Sequence, residues 1–430
     1  MNICFYVENI RNNLDFSVVE DFNPGIGGTQ YLFLALAQYF ARDSFHKIHL
    51  FSNTEITFDL DYDYCCVKDI EEAIEKCALL KYDLMVIRGP IYDNSIALKL
   101  EEFKVKAIVW SHNFESYNCI SLCGKCENII KYVCVSQEQR DLLLDTCLYE
   151  KSCTIWNSLN FKKYPSSYNM QKKKRICYIG NLYPKSGYDK LALAWSKVEI
   201  EFPESELYII GGNKLYTQQS FDGRYSKKSI QKLNKIVEKA FFKDGKIKDN
   251  VHFTGVLGGR EKLEIMRTAS VGVANLTETG ETFGLSLIEF EALGVPVVSI
   301  NYRGTRETVR DKQTGLLVNK KNLAEGIIKL LKDDMEAKKM GEYARTFVEQ
   351  NFSINEIGKQ WSQLFNDMQF EALSTSTEIQ RERYRYDLKK PILLNYYLKK
   401  IPFLSWLPPV AFYRYVKEMT VRIFEKLNMI

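Results

Sequence analysis

Short apolar runs separated by amphipathic helices recur twice along this 430-residue chain, and no other feature constrains its fold as much. In the first half the expected strands are Ile3–Val7, Ile48–Ser52, Leu84–Arg88, Ala107–Ser111, Tyr132–Ser136 and Thr154–Trp156. Helical periodicity is clear over Gly28–Ala41 and Gln137–Thr146. Near-continuous apolar strands alternating with helices require a parallel sheet covered on both faces. A polar stretch, 161–174, breaks the pattern and reads as a linker. The alternation restarts with strands at Ile176–Ile179, Leu207–Ile210, Val251–Thr254, Val271–Ala274, Pro296–Ile300 and Leu316–Val318. Helices are expected between them at Tyr188–Glu201, Lys228–Phe242, Glu261–Arg267, Leu285–Leu293 and Leu323–Leu331. The expected fold class is α/β, with two doubly wound Rossmann-like domains, 1–160 and 175–352. Ligands of such sheets bind in the crevice at the C-terminal ends of the strands. Ser353 and Glu356 form an S-x-x-E capping box, so a helix is expected over 353–372, crossing back to the first domain.

Charge is unevenly placed. Residues 373–430 hold 11 Lys/Arg and 5 Asp/Glu, whereas residues 1–372 hold 48 and 49. A neutral body argues against nucleic acid as a partner, and the basic tail is where an electrostatic partner would bind. The N-terminus has no basic segment followed by a long apolar run, and no stretch reaches 18 apolar residues. The expected location is cytoplasmic, at the inner face of the cell membrane if the tail reaches lipid. Eleven cysteines are too few for a disulfide scaffold and read as buried thiols. Cys123 and Cys126 form a lone CxxC without the second pair that a zinc site needs. Asp59, Asp61 and Asp63 resemble a metal-binding DxD but read as a solvated acidic loop. The expected metal content is none.

The segment TETGETFGLSLIEFEALGVPVVSINYRGTRE, Thr277 to Glu307, carries the chemistry. It places Glu281 on a loop and Glu289 inside the helix that follows. Glutamate is rarely buried without a partner. A helix N-terminus offers unpaired N–H groups that suit a phosphate. Two carboxylates beside it suit a polyol, since each accepts hydrogen bonds from neighbouring hydroxyls. Phosphate donors next to hydroxyl acceptors are what a nucleotide sugar needs. In the first half, Gly25-Ile26-Gly27-Gly28 opens a helix and lets backbone approach a ligand. His112 follows a strand and stands over the expected crevice.

These residues, with A-L-G-V-P-V-V, G-T-R-E-T-V and T-G-L-L-V downstream, resemble the donor site of glycosyltransferase family 4. The resemblance runs from Met1 to about Phe370 and implies the GT-B fold and a retaining, metal-independent transfer with no cofactor. It implies that Glu281 contacts the transferred sugar and that Glu289 holds the ribose. The backbone of Phe283, Gly284 and Leu285 would meet the sugar and diphosphate. Gly27 and Gly28 would face the diphosphate, and His112 would bind the sugar near its anomeric carbon. The catalytic residues by this resemblance are Glu281 and His112.

One departure stands out. The family pattern G-R-L-x-x-x-K-G reads here as Gly180-Asn181-Leu182-Tyr183-Pro184-Lys185-Ser186-Gly187. Asn181 replaces an arginine, Ser186 occupies the lysine slot, and Lys185 stands one residue early. Losing a fixed cation costs transition-state stabilisation as a diphosphate leaves. Asn181 and Lys185 remain candidate donor contacts, and Arg303 and Arg306 are candidate compensating cations. The expected function is transfer of a sugar from a nucleotide sugar to a glycan or lipid-linked acceptor in surface polysaccharide or glycoconjugate synthesis. The alternatives are a catalytically degenerate scaffold and a nucleotide-sugar epimerase or hydrolase. Basic and aromatic residues interleave over 379–430, which suits a membrane surface or packing on the first domain.

Overall fold

The computed structural model describes residues 1–8, 23–43, 46–54, 63–89, 91, 93–167, 174–183, 186–212, 223–224, 231–277, 280–369 and 389–426. The first domain is built from β1 (Asn2–Val7), α1 (Gly28–Asp43), β2 (Lys47–Ser52), β3 (Asp63–Cys66), α2 (Ile70–Leu79), β4 (Leu84–Gly89), α3 (Asn94–Glu102), β5 (Ala107–Ser111), α4 (Tyr117–Lys125), β6 (Ile129–Cys134), α5 (Gln137–Asp141) and β7 (Ser152–Thr154). The second contains β8 (Arg175–Ile179), α6 (Tyr188–Glu201), β9 (Glu206–Ile210), α7 (Gln231–Phe241), a small hairpin of β10 (Phe242–Lys243) and β11 (Lys246–Ile247), β12 (Val251–Gly255), α8 (Gly259–Arg267), β13 (Val271–Ala274), α9 (Leu285–Ala292), β14 (Val297–Ile300), α10 (Thr305–Thr308), β15 (Gly315–Val318), α11 (Leu323–Lys332) and α12 (Asp334–Phe352). Then α13 (Ile354–Gln369), α14 (Lys389–Lys399) and α15 (Val410–Lys426) follow.

Both large sheets are parallel. Their orders are β3-β2-β1-β4-β5-β6-β7 and β12-β9-β8-β13-β14-β15. Each reverses direction beside its first strand, between β1 and β4 and between β8 and β13, and a crevice opens at such a point. The apolar runs are buried as their composition requires; Ile3, Phe5, Leu84, Val86, Ile108 and Val109 are at or below 1% exposure.

The structure differs from the sequence reading where an element's apolar pattern is short or masked by charge. β3 is an edge strand whose residues, Asp-Tyr-Cys-Cys, are exposed or half-buried. Its Asp63 pairs with Lys47 across the sheet edge at 2.9 Å; Asp59 and Asp61 lie outside the described residues. The expected helix from Gln137 is one short turn of helix, α5, followed by turns. The seventh strand ends at Thr154, where it pairs with Cys134. The charged helix α12 was not expected at all.

The chain crosses between the domains twice, and the two crossings meet. Leu159 N–H donates to Phe352 O at 3.0 Å, and Ile354 N–H donates to Leu159 O at 2.9 Å. Half of the capping box forms at this point: Glu356 N–H donates to Ser353 Oγ at 3.5 Å, while the Glu356 carboxylate pairs with Lys359 instead. Beyond it α13 packs on the first domain. Trp361 meets Trp110 with ring centroids 5.0 Å apart, and Phe365 meets Phe40 at 5.2 Å. Gly358 is closed against Tyr39, where a Cβ would lie 2.2 Å from the ring. Burying Trp361 and Phe365 stabilises this dock by roughly 2–3 kcal/mol each.

The C-terminal helices also dock on the first domain. Lys389 Nζ lies 2.5 Å from Glu138 and 3.2 Å from Asp141, with all three side chains largely buried. Asp145 Oδ2 accepts from Asn395 Nδ2 at 2.8 Å and from Val410 N–H at 2.6 Å. No helix among the described residues is long and apolar enough to cross a membrane.

One buried acid gives a stability test. Glu291, on α9, is 0% exposed, and burial pushes its carboxyl well above the ordinary 4.5, against a small downward pull from Thr314. The folded-state value lies above the unfolded one. Its favourable contribution is therefore complete below 4.5 and is lost as pH rises toward the folded value. Replacing Glu291 with Met should raise unfolding free energy by about 1–3 kcal/mol at neutral pH, and the gain should shrink toward acid. Urea titrations of both proteins across pH check this.

Candidate functional site

A cavity of about 410 Å³ lies between the domains, lined by Gly25, Ile26 and Gly28 on one side and by Asn181, Ser186, Lys262, Asn275, Glu281, Leu285 and Glu289 on the other. That volume is within the range of small-molecule sites. It sits beside β8 and β13, where the second sheet reverses direction.

The wall is set by the loop from β13 to α9. Asn275 leaves the strand with φ 54°, and Gly284 enters the helix with φ 92°. At both positions the backbone is left-handed, a state glycine adopts without strain. This turn folds Glu281 back over the helix start. Its Oε1 accepts from Phe283 N–H at 3.1 Å and Gly284 N–H at 2.7 Å, and its Oε2 accepts from Asn275 Nδ2. Burial raises its carboxyl above the ordinary 4.5, against the pull of these donors. Phe283 itself points away, into the core, with its ring 5.4 Å from Phe352. Of Phe283, Gly284 and Leu285, Leu285 alone reaches the cavity wall. As the first residue of α9, it has an N–H without an intrahelical partner.

Glu289 is 3% exposed and has a partner the sequence reading missed. Its Oε1 accepts from Lys262 Nζ, 6% exposed, at 2.6 Å and from Tyr164 Oη at 3.2 Å. Both donors use Oε1, which leaves Oε2 for a ligand. Burial and the neighbouring Glu289 push the Tyr164 hydroxyl well above its ordinary range. Lys262 belongs to α8, whose first turns carry Arg260, Glu261, Lys262 and Glu264. Its sequence signal was positional: Lys262 lies one turn before buried Met266, on the apolar face.

The glycine loop meets the second domain through backbone. Gly259 N–H donates to Asn23 O at 2.9 Å, and a Cβ on Gly258 would lie 2.2 Å from the carbonyl carbon of Pro24. A Cβ on Gly28 would lie 3.5 Å from Leu285. Gly27 is buried behind the wall, its carbonyl accepting from Tyr31 N–H at 3.1 Å.

Asn181 lines the cavity with a buried Oδ1 that has no partner among the described residues. Ser186 also lines it, with its hydroxyl donating to Tyr183 O at 2.7 Å. Lys185 lies outside the described residues.

Three candidates are displaced from this cavity. His112 packs against Trp110 at 4.7 Å and Phe33 at 6.0 Å, and its carbonyl accepts from Thr282 Oγ1 at 2.7 Å. Burial, with Arg88 nearby, pushes its imidazole down to about 3, so it is neutral at physiological pH. It adjoins the Glu281 loop without lining the cavity. Arg303 and Arg306, the candidate compensating cations, do not line this cavity. Gly304 packs on the Thr282 backbone, where a Cβ would lie 2.2 Å from the Thr282 carbonyl carbon. Arg303 stacks over Phe114 at 4.3 Å, and Arg306 is held by Asn301 at 2.8 Å. Both line neighbouring cavities. Among the described residues, Lys262 is the cation on the wall that holds the two glutamates.

Residues 160–347 match the family profile of glycosyl transferases group 1. An uncharacterized glycosyltransferase of Haemophilus influenzae is 23% identical over 333 residues, 73% of this chain and 84% of that protein. One from Methanocaldococcus jannaschii is 21% identical over 244 residues, 54% of this chain, and the match spans only 57% of its length. The fold matches Anabaena HepE, solved in complex with UDP-glucose, with a TM-score of 0.63 at 14% identity, covering 85% of this chain and 100% of that one. The fold is GT-B, and the comparisons support a glycosyltransferase.

The buried ion pair makes a prediction. Lys262→Met leaves Glu289 as an enclosed carboxylate with only a hydroxyl donor, and should lower unfolding free energy by about 3 kcal/mol. Adding Glu289→Leu should restore much of that loss. Chemical denaturation of the single and double variants checks it; equal stability of Lys262→Met and wild type would show that the pair does not form.

Proposed function

We propose that this protein is a retaining glycosyltransferase that moves a sugar from a nucleotide-sugar donor to a hydroxyl of a glycan or lipid-linked acceptor. Its product would enter a surface polysaccharide or glycoconjugate. One observation carries the reading: Glu281 and Glu289 share one cavity wall across the first turns of α9. The helix start suits the diphosphate, and the two carboxylates suit the sugar and ribose hydroxyls on either side. The match to the group 1 glycosyl transferases over 160–347 and the likeness to a protein solved with UDP-glucose support it.

In this reading the residues position groups and stabilise charge; none is needed as a covalent nucleophile. The acceptor hydroxyl attacks the anomeric carbon from the face the diphosphate leaves, and a leaving phosphate oxygen takes the hydroxyl proton. Glu281 accepts from sugar hydroxyls and Glu289 Oε2 from the ribose. Charge on the departing diphosphate is met by the Leu285 and Ser286 N–H groups at the start of α9 and by Lys262, held 2.6 Å from Glu289. Asn181 Nδ2 adds a neutral donor where the related pattern has a cation, while the Ser186 hydroxyl is held by Tyr183 O. No metal enters this scheme.

The test is thermal stabilisation of the purified protein by nucleotides and nucleotide sugars, followed by transfer to an acceptor. A ligand of the folded state raises the melting midpoint with the logarithm of its concentration. Stabilisation by one nucleotide, lost in Glu289→Ala, supports the reading. No stabilisation by any of them favours a degenerate scaffold, with Asn181 and Ser186 as the reason. Donor turnover without acceptor favours an epimerase or hydrolase.

Glu281→Gln should lower kcat by about a hundredfold or more while nucleotide binding persists. In the wild type kcat should fall as pH drops through the Glu281 value, which burial places above 4.5, because the ionised form is the acceptor. A pH–rate profile with no acid limb centred above 4.5 would count against Glu281.

A further inference from the structure

The C-terminal appendage ends in an exposed apolar tip. Between α14 and α15 the chain turns through Ile401-Pro402-Phe403-Leu404-Ser405-Trp406, with a single 3-10 turn at Pro402–Leu404. Phe403 is 75% exposed and Trp406 73% exposed, and Ile401 stands beside them at 37%. Large aromatic side chains at this exposure are unusual on a soluble surface when clustered.

The tip spends its polar groups on itself. Trp406 Nε1 donates to Phe403 O at 3.0 Å, and Ser405 Oγ donates to Pro402 O at 2.9 Å. Leu404 N–H donates to Ile401 O at 2.8 Å, and Leu407 N–H donates to Leu404 O at 3.1 Å. Moving this turn into a lipid interface therefore strands few donors, which is the main penalty against doing so.

The two helices that flank the tip are basic. Residues 389–420 carry six Lys/Arg and one Glu. Lys390, Lys400 and Lys417 are exposed, and the Lys400 ammonium lies 4.7 Å from the Tyr396 ring. The base is fixed: Lys389 is buried against Glu138 and Asp141, Lys399 Nζ donates to Asp145 O at 2.7 Å, and Asn395 and Val410 both donate to Asp145. An exposed apolar tip that Lys400 adjoins, between two basic helices, matches the charge and polarity profile of an anionic lipid surface.

We propose that residues 401–406 are a bilayer-docking wedge: Phe403 and Trp406 enter the headgroup–acyl boundary while Lys400 and the exposed lysines of the flanking helices draw the tip to anionic headgroups. The inference does not rest on the donor-site reading, and its test needs no enzymatic activity.

The test is co-sedimentation of the full chain with vesicles of phosphatidylcholine alone and with one part phosphatidylglycerol to two parts phosphatidylcholine. The expected result is binding to the mixed vesicles, with partitioning reduced about tenfold or more in Phe403→Ser/Trp406→Ser. That variant should melt like the wild type, because neither side chain is buried. Brominated acyl chains should quench tryptophan emission in the wild type and not in Trp406→Phe. The other four tryptophans cannot supply this signal, since Trp110, Trp195 and Trp361 are buried and Trp156 is half-buried. Failure to bind mixed vesicles overturns the proposal. So does equal binding by the double variant, or a dimer in light scattering that the double variant abolishes.

Discussion

The Lys262–Glu289 ion pair, closed by Tyr164, is the interaction on which the rest of this structure depends. It joins three separate pieces of chain: α8, α9 and the segment that links the two domains. Each charge would be costly in the interior alone, and each is tolerable because of the other. The pair therefore fixes the spacing of α8 from α9 and holds one oxygen of Glu289 away from the cavity. The other oxygen is oriented as a consequence. A side chain that would otherwise choose among rotamers has one place to be, which is the state a hydroxyl-binding carboxylate needs.

Much of the fold was readable because it is written locally. A strand buried on both faces must be apolar throughout, so β1, β4, β5, β8, β9 and β13 declare themselves. Edge strand β3 is not buried on both faces and carried no such signature. The charged surface of α12 hid its buried Ala337, Met340, Ala344 and Val348 stripe. The same division holds at the cavity. Glu281 and Glu289 were legible because one loop and one helix carry both. Lys262 was not, because its place on the apolar face of α8, one turn before Met266, does not say which carboxylate on another helix it meets. Arg303 and Arg306 misled for the converse reason. They are close in sequence to the glutamates, but they line neighbouring cavities.

The distribution of positive charge follows from these placements. A site expected to hold an arginine and a lysine on the loop after β8 instead presents Asn181 and Ser186 there, with Lys262 arriving from α8. The arginines of the β14 loop line a different space, shared with the docked C-terminal helices through Arg414 and Lys389. The appendage is thus part of the first domain's surface. Its cost in order is met by burying Lys389, Ile392 and Asn395.

The cavity has walls from both domains, and the domains touch across it through backbone: Asn23 with Gly259, and Pro24 with Gly258. His112 and Thr282 add a further link, and Glu307 accepts from Gln137 N–H and Glu138 N–H at 2.8 and 2.7 Å. In the proposed reading a donor entering between the halves would part them about the point where Leu159 lies between Phe352 and Ile354. The speed of the whole cycle would be governed by how often that seam opens, and a solvent made more viscous would slow this protein even if it left every bond-making step untouched.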